Sequence, residues 1–150
     1  MEIGQHFIEL ETIFSLAGLA AMLGWVILIF LPRRFALLFA VPQYIIPLGL
    51  GVVYAALILP NIYTIDDGGY GSLQEVKALF GNDMALLAGW IHYLAFDLFI
   101  GAWIARRADA IGLSRIIQAP VLIATFMFGP IGLVMLLTIR VFYRRAGRVL

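Results

Sequence analysis

Three observations on this 150-residue chain predict an all-α integral membrane protein. Hydrophobic residues make up 63% of it and charged residues only 13%, far from the composition of soluble domains. The apolar residues gather into four runs, each long enough to cross a bilayer, which takes roughly 20 helical residues. The breaks between runs carry prolines, glycines and arginines. The expected architecture is one membrane domain over residues 1–150, a bundle of four transmembrane helices at about 8–31, 35–59, 84–106 and 116–142. A short interfacial helix is expected between spans two and three.

Composition also removes several chemistries. With no cysteine there is no disulfide, thiolate nucleophile or Cys-ligated metal. The two histidines, His6 and His92, cannot supply a three-histidine metal site within one chain. A net charge of +1 and no basic domain give no reason to expect nucleic acid as a partner. The start, M-E-I-G-Q-H-F-I-E-L-E, is acidic and unlike a signal or transit peptide, so the first run is read as a retained span.

Span one ends at Pro32-Arg33-Arg34, a proline stop and a basic pair. Its small residues Ala17, Gly18, Ala20, Ala21 and Gly24 permit close approach of another helix, including one from a second copy of the chain. Glu9 and Glu11 sit at its entrance, where a helix amino terminus favours negative charge. Span two contains Pro42 and Pro47, each lacking a backbone donor, and is expected to bend. Gln43 and Tyr44, between those prolines, are polar groups in need of partners and are candidate substrate-binding residues.

The connection from Pro60 to Asp83 passes through a turn at Asp66-Asp67-Gly68-Gly69-Tyr70-Gly71. Ser72-Leu73-Gln74-Glu75 then matches a capping box. A helix bearing Val76, Leu79 and Phe80 should follow, stopped by Gly81-Asn82, with the turn above it covering a cavity mouth. Span three is followed by Arg106, Arg107 and Arg115. The last run is interrupted by Gly129-Pro130-Ile131-Gly132 and reads either as one kinked span or as two half-helices.

Arg33, Arg34, Arg106, Arg107 and Arg115 place the two short loops in the cytoplasm. Four crossings, the reading adopted, put Arg140, Arg144, Arg145 and Arg148 on the opposite side, against the positive-inside tendency. A re-entrant hairpin turning at Gly129-Pro130 is the alternative.

Span three carries the candidate chemistry. His92 and Asp97 lie at membrane depth, where an acidic side chain costs about 2.5–3.5 kcal/mol on insertion scales and usually faces a cavity or partner. Trp90, Tyr93, Asp97 and Gly101 share one helix stripe, and His92, Phe96, Phe99 and Trp103 another. Five residues apart, His92 and Asp97 diverge by about 140°, so one helix cannot aim both at one metal ion. They can flank opposite ends of a ligand or meet through groups on other helices. Removal of water favours their uncharged forms, an acid and a base suited to proton transfer on an apolar substrate. In this reading Asp97 donates to an oxygen and His92 accepts from carbon. Trp90, Tyr93, Phe96 and Trp103 offer flat surfaces to a conjugated or ring-bearing lipid.

The stretch Gly89-Trp90-Ile91-His92-Tyr93-Leu94-Ala95-Phe96-Asp97-Leu98-Phe99 resembles the abscisic-acid-deficient-four-like family through the pattern W-I-H-x-L-A-x-D-L-F. The basic pair after span one, the short helix ending Leu79-Phe80 and the Gly129-Pro130-Ile131-Gly132 break extend the likeness over nearly the whole chain. The resemblance implies a small four-span membrane protein acting on carotenoids. In plants the implied role is isomerisation of the epoxide violaxanthin to allenic neoxanthin. Trp90, His92 and Asp97 are carried over on the motif.

An isomerisation changes no oxidation state, so the acid and base would suffice and no cofactor is expected. The implied partners are a carotenoid or other apolar isoprenoid and membrane lipid. Without the transit segment of plant members, the chain is expected in a bacterial cytoplasmic membrane, where the substrate need not be violaxanthin. A metal- or oxygen-dependent carotenoid enzyme joining His92 and Asp97 to Glu9, Glu11 or His6 is one alternative. A non-catalytic carotenoid-binding protein, or a proton-coupled transporter using Asp97, is another.

Overall fold

The computed structural model describes the backbone of residues 2–61 and 68–146 and the side chains of residues 8–60 and 68–142. Asp66 and Asp67 of the expected turn, and the side chains of His6, Arg144, Arg145 and Arg148, lie outside the described residues. Helix α1 runs Glu2–Phe30 and stops where Pro32 follows. The second long element is a continuous rod of α2 (Ala36–Ala40), a π turn (Val41–Ile45) and α3 (Ile46–Ile58). The rod widens because Pro42 cannot donate, and the Ile46 amide reaches back to the Val41 carbonyl instead.

Helix α4 covers Leu73–Leu79. Ser72 Oγ accepts from the Glu75 amide at 3.2 Å, as the capping box requires. The Glu75 carboxylate, however, accepts from Gly71 N at 2.9 Å rather than from the cap's own amide, so the box also closes the glycine turn. Leu79 is buried, turned toward the next helix. Helix α4 ends just before Gly81-Asn82, and Asn82 also starts α5 (Asp83–Ala110), its Oδ1 accepting from Met84 N at 3.0 Å and Ala85 N at 3.1 Å.

Helix α5 is the axis around which the others pack. Three helical stretches are long and apolar enough to cross a membrane: Ile8–Phe30, Ala36–Ile58 and Asp83–Ala110. The protein is therefore a membrane protein, and its large apolar side chains are abundant on the outside, with Leu37 88% and Ile116 86% exposed. Inside, Ala17, Ala21, Gly24, Trp25 and Leu28 form one face of α1 against α5. At Gly24 an added Cβ would strike Leu98, and at Gly101 it would strike the Trp25 indole. Three of the small residues proposed for self-association, Ala17, Ala21 and Gly24, are thus used within the chain.

The single fourth crossing expected over 116–142 gives way to two helices, α6 (Arg115–Phe128) and α7 (Pro130–Ala146). Their apolar parts, Arg115–Phe128 and Pro130–Phe142, fall in the 10–17-residue range, roughly 20 Å each and too short for a bilayer core of about 30 Å. Gly129 adopts φ +49°, a conformation glycine reaches without penalty, and the chain turns back there. Gly132 consequently lies on the α6 backbone, where a Cβ would come within 2.7 Å of both Val121 O and Thr125 N. Leu136 joins one buried cluster with Val121 and Leu122. Such contacts require α7 to retrace α6.

The hairpin removes the charge conflict. It returns Arg140 to the end where Arg33, Arg106, Arg107 and Arg115 gather, so the arginine pattern obeys the positive-inside tendency. That end is latched by Arg33, whose Nη1 donates to Asp109 Oδ2 at 2.9 Å, Gln118 Oε1 at 2.6 Å and Ala105 O at 3.2 Å. Gln118 Nε2 in turn donates to Asp109 Oδ1 at 2.8 Å and Leu113 O at 2.7 Å. Burial pushes the Arg33 guanidinium below its ordinary pKa, and the Asp109 carboxylate opposes that shift.

Because the chain has no cysteine, single replacements report sidedness directly. Arg34→Cys and Arg140→Cys are expected to react with an impermeant maleimide from the same face of sealed vesicles. Labelling from opposite faces contradicts the hairpin.

Candidate functional site

Asp97 occupies the middle of the 28-residue α5. Its carboxyl faces the elbow of the hairpin: a Cβ on Gly129 would lie 2.8 Å from Oδ1 and 3.1 Å from Oδ2. Only glycine combines that close approach with the backbone angle the turn needs. The elbow therefore sits beside the middle of α5, with the amino terminus of α7 starting beside the carboxyl. A helix amino terminus carries positive partial charge, so the placement is electrostatically favourable.

Asp97 Oδ2 is buried without a hydrogen-bond partner, the only such side-chain atom among the described residues. A buried acceptor left unpaired is costly, by about 1–3 kcal/mol, and persists where it has a use. Tyr93, one turn earlier, brings its hydroxyl to the same carboxyl. The one hydroxyl proton is donated, at a long 3.4 Å, to the Phe126 carbonyl in the last turn of α6, which leaves Asp97 Oδ2 unpaired beside it. Trp25, edge-on to Phe126 at 5.5 Å, closes this side.

Trp90 continues the Asp97 stripe toward the acidic end. Its ring stacks on Tyr93 at 5.3 Å and on Phe14 of α1 at 6.0 Å. Together with Leu10, Glu11, Phe14 and Asp83 it lines a cavity of about 370 Å³ between α1 and α5. Trp90, Tyr93 and Asp97 thus form one connected wall.

His92 belongs to another wall. It is exposed on the surface of the bundle, stacks on Phe96 at 4.5 Å and meets Tyr54 of α3 at 5.6 Å. It lines a cavity of about 240 Å³ together with Tyr70 of the glycine turn and with Leu79 and Phe80 at the end of α4. Gly89 gives Phe80 room to lie against α5. Phe96 is 56% exposed, and Trp103 packs on the core near the arginine end with Arg107 over its ring at 5.4 Å.

Gln43 and Tyr44 line a third cavity, beside Arg33 and Arg106, rather than the walls of His92 or Asp97. Glu9 is exposed and Glu11 faces Trp90. Among the described residues no three of His, Asp and Glu gather as metal ligands would. The Gly129 break is visible in the sequence, but its contact with Asp97 and the place of Tyr54 beside His92 emerge only from the fold. The charge conflict at Arg140 was the available signal for the first; for Tyr54 there was none.

Residues 12–136 match the model of the ABA DEFICIENT 4-like family. No curated protein and no solved structure matches the chain.

The elbow geometry makes a stability prediction. Gly129→Val should destabilise the protein by about 1–3 kcal/mol, because the side chain meets both a disfavoured backbone angle and the Asp97 carboxyl. Gly49→Ala, with open space around it, should stay within about 0.5 kcal/mol of wild type. Reversible unfolding in detergent checks both, and equal costs would contradict the close approach.

Proposed function

The chain belongs to the ABA DEFICIENT 4-like family, and from that premise we propose that it is a membrane enzyme isomerising a carotenoid or related isoprenoid by proton transfer. The family is linked to abscisic acid and neoxanthin biosynthesis. The observation that carries the reading is Asp97 Oδ2, a buried oxygen without a partner at mid-membrane depth. A site that excludes water and holds one such group suits acid/base work on an apolar molecule.

In its neutral form Asp97 gives its proton to an epoxide oxygen as the carbon–oxygen bond breaks. The resulting carboxylate takes the proton from the carbon adjacent to the opened centre. The electrons of that carbon–hydrogen bond complete an allene, and the hydroxylated product is an isomer of the substrate. Asp97 ends protonated, as it began. The α7 amino terminus and the Tyr93 hydroxyl support the carboxylate between the two transfers.

His92 is assigned a different role from proton acceptor at the same carbon, since it projects from another wall of α5. Together with Phe96 it offers a flat surface for a ring or polyene end, as Trp90 does on the Asp97 side. A long substrate crossing α5 can touch both.

Expression in hosts accumulating β-carotene or epoxycarotenoids, followed by pigment chromatography, tests the proposal. A new isomeric pigment is expected with wild type, and Asp97→Asn should lower its yield by about 100-fold or more. His92→Gln should weaken substrate use more than turnover. Pigment that co-purifies unchanged with both wild type and Asp97→Asn would mark a binding protein instead, and proton-coupled uptake lost in Asp97→Asn would mark a transporter.

A further inference from the structure

Where the π turn passes the last turns of α5, a cavity of about 380 Å³ is walled by Arg33, Phe39, Gln43, Tyr44, Arg106 and Asp109. Asp109 is occupied: it accepts from Arg33 at 2.9 Å and from Gln118 at 2.8 Å. Arg33 is committed to the same latch. Arg106 is not. Among the described residues it has no carboxylate partner, and its guanidinium donates at 3.5 Å to Tyr44 Oη.

Gln43 supplies the second observation. It is only 8% exposed, lines this cavity, and has no hydrogen-bond partner for its amide among the described residues. The amide opens onto the cavity, so its donor and acceptor are free to meet whatever enters. The π turn creates the arrangement, since the extra residue per turn set up by Pro42 holds Gln43 and Tyr44 against α5. Turns of this kind occur frequently at functional sites.

The chemistry of the wall is graded by depth. Arg106 lies near the arginine-rich end of α5, where phosphates of the adjoining leaflet reside, and Gln43 lies about 10 Å inward of the start of its helix. A guanidinium matches a phosphate through its planar fork. An amide just below it matches an ester carbonyl. We propose that this cavity binds the phosphate-bearing headgroup of an anionic phospholipid, with the phosphate on Arg106 and an ester oxygen on the Gln43 amide. The assignment is independent of the carotenoid reading.

The test uses the purified full chain in nanodiscs of phosphatidylcholine doped with phosphatidylglycerol, with retained lipid counted by native mass spectrometry after transfer to neutral detergent. One phosphatidylglycerol per chain is expected to remain, preferred over phosphatidylcholine by about tenfold or more. Arg106→Gln should abolish most of that preference and Gln43→Leu should shorten retention, whereas Arg140→Gln, an arginine away from the cavity, should change neither. Displacement of the lipid by millimolar inorganic phosphate would support the phosphate site and make the anion itself the ligand. Equal retention of the two lipids by wild type, or undiminished preference in Arg106→Gln, overturns the proposal. The wild-type comparison decides even if a variant fails to fold.

Discussion

A glycine turn resting on a carboxyl group at the middle of α5 is the constraint from which the rest of this molecule follows. In hydrocarbon, backbone amides and carbonyls must find partners within the protein, so a chain cannot reverse direction there unless other helices shield the turn. Gly129 reverses by taking a left-handed backbone angle and by presenting no side chain to α5. The position it meets on α5 is Asp97. Turn and acid thus shield one another, and neither is easily understood alone.

The consequences run outward from that contact. Because the hairpin turns at the middle of α5, α6 leaves the arginine end and α7 returns to it, while α5 runs the full height of the bundle beside them. The Arg33, Asp109 and Gln118 network then closes the base by joining the loop after α1, the end of α5 and the start of α6. At the opposite end, Leu79 and Phe80 line the cavity that His92 borders. The bundle therefore presents distinct environments along its length: an acidic, aromatic end, a middle with Asp97, and a cationic end with Gln43 and Arg106.

How much of this the residues announce depends on which contrast each feature exploits. Apolar against polar is plain, so the three long spans, the stop at Pro32 and the Ser72 cap could be placed from sequence to within a few residues. Protein-facing against lipid-facing is not, because both surfaces are equally greasy in a membrane and packing is decided by shape. Nothing in the letters of α5 says that Gly101 receives Trp25 or that Asp97 looks at Gly129 instead of at His92's neighbours. The direction of the last segment was nevertheless written in the arginines: Arg140 sits on the wrong side of any four-crossing scheme. Run length points the other way, to a single crossing, but the run is broken by Gly-Pro near its centre and forms two short helices rather than one long one. The π turn was legible only as a bend, since Pro42 predicts a missing hydrogen bond but not the wider register that replaces it.

Disulfide trapping across the elbow tests the central claim most directly. In the cysteine-free chain, Asp97→Cys combined with Gly129→Cys should close a disulfide on mild oxidation, since a Cβ at 129 would lie 3.2 Å from the carboxyl carbon of Asp97. Mass spectrometry of a peptide pair linking α5 to the hairpin is the predicted result. Two free thiols after oxidation, with the cysteine at 129 reactive from the face opposite Arg34, would contradict the account.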